Sequence, residues 1–377
     1  MEVHGTCDPR FEALRDALAE NFAQHGELGA SATLIVDGQI VADVWGGWRD
    51  VEQTVAWTQD TLVSVFSVGK AFAAICALML VDRGVLELDR PLNADWPQFA
   101  DDRVTLRHVL AHRSGLPAIE PMLDSAFDWD AVTAALARQQ PWWEPGAAHG
   151  YHVHTLGYLV GELVRRTTGA TLGAFLSGEL AGPLGADLRY GCAPADRVRR
   201  ADYLFTAETL TRPPRGEGSP EPDAHTTLMR ERAYANPPGA TGVGTVNSEP
   251  WFDHEVPSAN MHATAQGIAR GYAALIDKRA PLLSPSVLDD AIAQASDGED
   301  LILARRSRFG LGFQLTTPER PLGPNRSAFG HFGAGGALGF ADPDAAIAFG
   351  YAMNRGGPRW QNPRNRTLLE AIYSSFD

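Results

Sequence analysis

Between Ser67 and Arg83 the chain reads SVGKAFAAICALMLVDR, a stretch free of proline, rich in Ala, Leu, Ile and Met, and closed by Gly84. Such a run predicts a largely buried helix, with the glycine as its stop signal. Inside it stands Lys70. Burying an ammonium group without a partner is costly, so a lysine at this place points to a role beyond packing. Ser67 lies three residues earlier, on the same helical face, within reach of the lysine amine. The chain holds two lysines, Lys70 and Lys278, against sixteen serines, so this spacing is seldom met by chance. Cys76 falls in the same run and is assigned to the core.

The chain of 377 residues is long enough for one large two-part unit or two domains. Its 44% hydrophobic and 21% charged residues are those of a globular protein. A net charge of −14 argues against nucleic acid as a partner, because phosphate binding needs clustered Lys and Arg. The first residues show no basic segment followed by an apolar one. No later stretch reaches the roughly 18 apolar residues of a membrane span. The expectation is a soluble, cytoplasmic protein with no membrane contact. Cys7, Cys76 and Cys192 form neither a disulfide framework nor a zinc ribbon.

Phe11, Leu14, Leu18 and Phe22 share one face of a helix expected over residues 9–25. SATLIVDGQIVADVWGGW then reads as a hairpin turning at Asp37-Gly38. Residues 86–200 alternate helical patterns (Val104–His112, Trp129–Arg138, Thr155–Thr167, Thr171–Leu180) with Pro/Gly breaks and little strand signal. The Pro/Gly/Thr-rich stretch at about 203–260 suggests a long covering loop. A helix over 263–277 follows, then strand-like GLGFQLTT and AIAFGYAM, then a helix over Arg364–Tyr373. The fold class expected is α+β. The terminal parts, 1–85 and 250–377, would share one antiparallel sheet covered by helices, with 86–249 inserted as a helical domain and the site between them.

Serine is a weak nucleophile at neutral pH and needs an adjacent base, which burial of Lys70 can supply by favouring the neutral amine. The helix start adds free N–H groups for an oxyanion. Tyr151 is a candidate proton relay beside that lysine. His149, His152 and His154 match no standard zinc spacing, so neither a metal nor a cofactor is expected. The glycine-dense FGHFGAGGALGFADP, residues 329–343, would let a ligand approach the backbone closely, although a plain Gly-rich turn is an alternative. Neither a phosphate-binding G-x-x-x-x-G-K-[ST] nor a nucleophile-elbow G-x-S-x-G is present.

SVFSVGK, TLRHVLAHRSGLP (105–117), the Pro145–Glu162 segment with Tyr151, EVPSANMHATAQGIAR (255–270) and HFGAGG occur in an order that resembles the serine β-lactamase and penicillin-binding-protein superfamily. The branch it looks most like is the class C β-lactamase-like carboxylesterases, or family VIII esterases. The resemblance implies an α/β sandwich with a helical domain, Ser67 as nucleophile, Lys70 as proton acceptor and Tyr151 as relay. It further implies an oxyanion hole built from the N–H groups of Ser67 and Ala334.

Two positions depart from that pattern. His331-Phe332-Gly333 stands where Lys-Thr-Gly is usual, and Tyr151-His152-Val153 replaces Tyr-x-Asn. Loss of a carboxylate-binding lysine and of an amide favours less polar acyl groups. With Trp142, Trp143, Trp251 and Phe252 as further pocket candidates, the expected activity is hydrolysis of short-chain carboxylic esters. Acyl transfer through the same acyl-enzyme, β-lactam or D-peptide hydrolysis, and a non-catalytic binding module are the alternatives.

Overall fold

The computed structural model describes residues 1–210 and 221–376. Twelve strands are present among them. They are β1 (Val3–Cys7), β2 (Gly29–Val36), β3 (Gln39–Gly47), β4 (Val63–Ser64), β5 (Leu188–Tyr190), β6 (Met261–Ala263), β7 (Ser296–Asp300), β8 (Arg305–Phe309), β9 (Gln314–Leu315), β10 (Phe329–Phe332), β11 (Leu338–Asp342) and β12 (Ile347–Met353). Nine of them form one antiparallel sheet in the order β1-β3-β2-β12-β11-β10-β9-β8-β7, and β4-β6-β5 form a second, small one. The two ends of the chain therefore share a sheet, through the pairing of β2 with β12. This is the α+β arrangement expected from the sequence.

Successive residues on β12 show why helices cover both faces. Tyr351 sends its hydroxyl to the Glu27 carboxylate, which also receives Arg364 of the C-terminal helix Pro363–Ser374 at 2.8 Å. Gly350 points the opposite way, where a Cβ would stand 2.1 Å from the carbonyl oxygen of Ala265. Glycine there lets the helix Ala265–Ile276 lie close on β2, β11 and β12. The N-terminal helix Glu12–Gln24 packs against the C-terminal one.

The hairpin turn falls at Asp37 and Gly38, both with positive φ (49° and 76°), the geometry that a tight two-residue turn requires. The helix read from Ser67 to Arg83 spans Val68–Asp82 and is buried from Val68 to Leu80, Cys76 included, with Gly84 left-handed just beyond it. The helix expected over Val104–His112 is shorter, Leu106–Leu110, because His112 adopts a left-handed conformation (φ 58°) and ends it.

Two expectations need correction. The region 86–200 contains β5, which pairs with β6. The stretch 203–260 is no uniform loop. Ala207–Leu210, Ala224–Ala235 and Glu249–Asp253 are helical, and the part of the expected loop at 211–220 lies outside the described residues. The β7–β8 hairpin and the helix Pro285–Ile292 stand where no element is expected from the sequence above. No helix among the described residues is long and apolar enough to cross a membrane.

Candidate active site

Ser67 stands at the N-terminus of the buried helix, immediately after β4, which β6 holds in place. Phe66, between them, has φ 49°, a left-handed conformation that a bulky residue adopts only where its surroundings impose it. Here an aromatic cluster does so, since its ring packs on Tyr203 at 4.7 Å, Phe205 at 5.7 Å and Trp251 at 6.2 Å.

Lys70 is fully buried, and its Nζ donates to Ser67 Oγ at 2.9 Å and to the carbonyl oxygen of Ser258 at 2.8 Å. Burial holds its pKa well below the ordinary lysine value. In the neutral form, one N–H can remain on Ser258 while the lone pair faces the Ser67 hydroxyl proton. The same nitrogen lies 4.9 Å from the centre of the Tyr151 ring.

Tyr151 is almost completely buried, and burial pushes its phenol pKa upward. The Ser67 side chain opposes that rise, but from outside hydrogen-bonding geometry: the Tyr151 hydroxyl has no bonded partner among the described residues. The site thus favours a neutral amine next to a neutral phenol, both close to one serine hydroxyl. The backbone of Tyr151 is fixed from afar, its N–H donating to both carboxylate oxygens of Asp300, at 3.0 and 3.1 Å.

The Gly-rich segment comes alongside the nucleophile through Gly333, where a Cβ would stand 2.3 Å from the carbonyl oxygen of Val65. Any side chain would force the two strands apart. Among the described residues, neither the Ser67 N–H nor the Ala334 N–H donates to an acceptor, which leaves both available to a developing oxyanion.

The other expected pocket residues divide. His331, on β10, is buried and held neutral, its pKa lowered by burial and by Lys70 to about 3. Its Nδ1 lies 2.7 Å from its neighbour's carbonyl oxygen, Phe332 O, which makes Nδ1 the donor and leaves Nε2 an acceptor without a partner. Trp142 and Trp143 are half-buried and pack against the cluster that contains Tyr151 and Phe309.

Three others face elsewhere. His152 uses Nε2 on Ser114 Oγ at 2.6 Å and Nδ1 on Gly150 O at 2.7 Å, so both ring nitrogens are engaged inside the protein. Trp251 is wholly buried beneath Phe66, and Phe252 is buried under the Arg200 guanidinium at 4.1 Å, so both support the turn instead of forming an open surface. Phe332 is buried in a narrow cavity with Leu315, Leu322 and Trp360. His149 lies 3.0 Å from Ser307, apart from the bonds of His152.

Four contributors escaped the sequence reading. Ser258 acts through its carbonyl, which no residue type betrays. Asp300 sits in an unremarked acidic stretch, Trp360 in a loop, and His112, whose Nδ1 accepts the backbone N–H of His152 at 3.1 Å, inside the LAHRSGLP segment.

A serine at a helix start, hydrogen bonded to a buried lysine and flanked by a tyrosine and two N–H groups unpaired among the described residues, is an arrangement suited to a serine hydrolase. The chain belongs to the Beta-lactamase family, whose profile matches residues 14–373. It is 30% identical to the esterase/beta-lactamase LipL of Mycobacterium tuberculosis, over 94% of this chain and 83% of the relative. Among solved structures it is similar to a family VIII carboxylesterase (33% identity, TM-score 0.90). It is similar also to a penicillin-binding protein homologue from Caulobacter crescentus (36% identity, TM-score 0.90). Both likenesses cover 100% of each chain.

Proposed function

We propose that this serine hydrolase is a carboxylesterase that cleaves short-chain esters through an acyl-enzyme on Ser67. Neutral Lys70 takes the Ser67 proton as Oγ forms its bond to the ester carbonyl carbon. The carbonyl oxygen becomes an oxyanion between the N–H groups of Ser67 and Ala334. The C–O bond to the alcohol then breaks, and the alcohol leaves with a proton passed from the Lys70 ammonium through the Tyr151 hydroxyl. Water attacks the acyl-enzyme by the same steps in reverse order, releasing the acid and restoring Ser67.

The observation that carries this reading is the 2.9 Å bond between Ser67 Oγ and a lysine nitrogen that burial keeps from being charged. The names of the relatives support an ester as substrate. So does the neutral His331 beside Phe332, where a pair that binds carboxylates would be cationic and polar.

The test is turnover of p-nitrophenyl butyrate together with labelling by an alkyl phosphonate and location of the label by peptide mass. Label on Ser67, with turnover abolished in Ser67→Ala, is the expected result. A label elsewhere, or an undiminished Ser67→Ala enzyme, overturns the proposal.

A further inference from the structure

Arg305 opens β8, directly across from Asp300 on β7. Its guanidinium lies 4.9 Å from the centre of the Trp360 ring, and Trp360 meets the Tyr151 ring nearly edge-on, also at 4.9 Å. Two aromatic rings thus separate this cation from the Lys70 amine. Arg305 is half-buried, yet among the described residues no hydrogen bond and no ion pair holds its side chain. Its neighbours on the strand are engaged, Arg306 with Asp297 at 2.9 Å and Arg308 with Gln294 at 3.0 Å.

Arg138, Arg326, Arg359 and Arg366 likewise show no side-chain bond or ion pair among the described residues, but those four are exposed. The acidic group nearest in the fold is already occupied. Asp300 receives the N–H groups of Tyr151, Ile302 and Leu303 and the Ser307 hydroxyl. Among the other groups near it, Arg359 adds positive charge, and Tyr151, its phenol pushed upward by burial, supplies no anion at neutral pH. A half-buried guanidinium loses hydration, and the charge of Asp300, which acts on it without a direct bond, recovers only part of that loss. A flat indole beneath it leaves the outer edge of its donor fork free for a planar two-oxygen acceptor.

We propose that Arg305 binds a carboxylate carried by the substrate, which makes the preferred esters of this enzyme anionic. The inference rests on the esterase reading and narrows its substrate class. The charge would sit beyond Tyr151 and Trp360, on either the acyl or the alcohol side of the scissile bond. A cation so placed selects by pairing with a charge that a neutral ester lacks, without touching the reacting atoms.

The test uses two matched pairs. Mono-p-nitrophenyl adipate and its neutral methyl ester place the charge on the acyl side. 4-Acetoxybenzoate and its methyl ester place it on the alcohol side. For at least one pair, Arg305→Met is expected to lower the charged-to-neutral ratio of kcat/KM at least about 10-fold, mainly through KM, with Arg305→Lys between it and wild type. Added salt should weaken wild-type preference for the same charged ester.

The neutral esters report folding in each variant. If both members of each pair fall together, or the ratios stay at the wild-type value, the Arg305 inference is overturned and the esterase reading stands. Wild type that hydrolyses none of the four esters overturns both. The pair that responds identifies the side of the ester that carries the charge.

Discussion

The Asp300 carboxylate accepts the backbone N–H of Tyr151 across 149 positions of sequence, fixing the residue from the β7–β8 hairpin, whose Phe309 also stacks on the Tyr151 ring. Asp300 is fully buried and satisfied by donors on three sides, so Asp300→Ala would strand buried N–H groups without an acceptor. A stability loss of about 3 kcal/mol follows from several broken bonds to a charged group. Asp300→Asn keeps the shape but turns one acceptor into a donor. It should lower kcat at least about tenfold by letting Tyr151 shift, with KM little changed. Thermal melting and steady-state kinetics on p-nitrophenyl butyrate separate the two effects.

The proposed mechanism uses Lys70 as a neutral amine. Burial lowers its pKa, so the active fraction is complete at a lower pH than for a free lysine. The rate should rise with pH and level off well below pH 10.5. Tyr151, raised by burial, stays a phenol across that range and adds no second rise. Lys70→Arg places a permanent charge where a neutral amine stood and removes the titration, since guanidinium does not lose its proton. Its activity should fall on the order of 10³-fold or more, with no recovery at alkaline pH. Wild-type activity that keeps climbing to pH 10.5 would contradict this assignment.

Gly333→Ala places a methyl group 2.3 Å from the Val65 carbonyl oxygen, a backbone atom that cannot swing aside. The segment must retreat and carry the Ala334 N–H with it. Loss of one oxyanion donor lowers kcat by about 10² to 10³. Phosphonate labelling of Ser67 should slow in parallel, whereas melting should shift only modestly.

Six buried histidines, His112, His149, His152, His154, His262 and His331, have their pKa values pushed below 6.5 chiefly by burial, to about 4 for His152 and His262 and about 3 for His154 and His331. Above pH 6.5 both folded and unfolded chains carry them uncharged. Below it the unfolded chain takes up protons that the folded one refuses, so stability falls from about pH 6.5 toward 4. Melting temperature should drop steeply over that window. Replacing His262, which lies outside the reaction centre, with glutamine should flatten the slope, and an unchanged slope would remove His262 from the account.

What could be read from the sequence followed from strong local signals. The apolar run around Lys70, the Asp37-Gly38 turn and the helices at Trp129–Arg138 and Thr155–Thr168 need few neighbours to be recognised. Strands β4, β5 and β9 have three residues or fewer, too short for any periodicity. The β7–β8 pair is written in Asp, Glu and Arg because it lies at the sheet edge, where alternation of apolar residues is not required. Ser67 and Lys70 declared themselves because they share one helical turn. The remaining contributors come from far along the chain, and some act through the main chain, so only folding reveals them. Trp251 and His152 misled for the converse reason: residue type suggested a pocket, whereas packing uses Trp251 under Phe66 and internal hydrogen bonds engage His152.

The bond from Lys70 to the Ser258 carbonyl has a consequence for biosynthesis. Ser67 and Lys70, the proposed nucleophile and base, are translated early, whereas the Ser258 carbonyl that accepts from the amine emerges 188 positions later, the Asp300 carboxylate after it and the Ala334 N–H later still. A nascent chain on the ribosome therefore carries its serine and lysine for most of elongation without an assembled reaction centre. On the proposed mechanism the reaction centre is complete only when Ala334 has been added, so the chain should become reactive late in its synthesis.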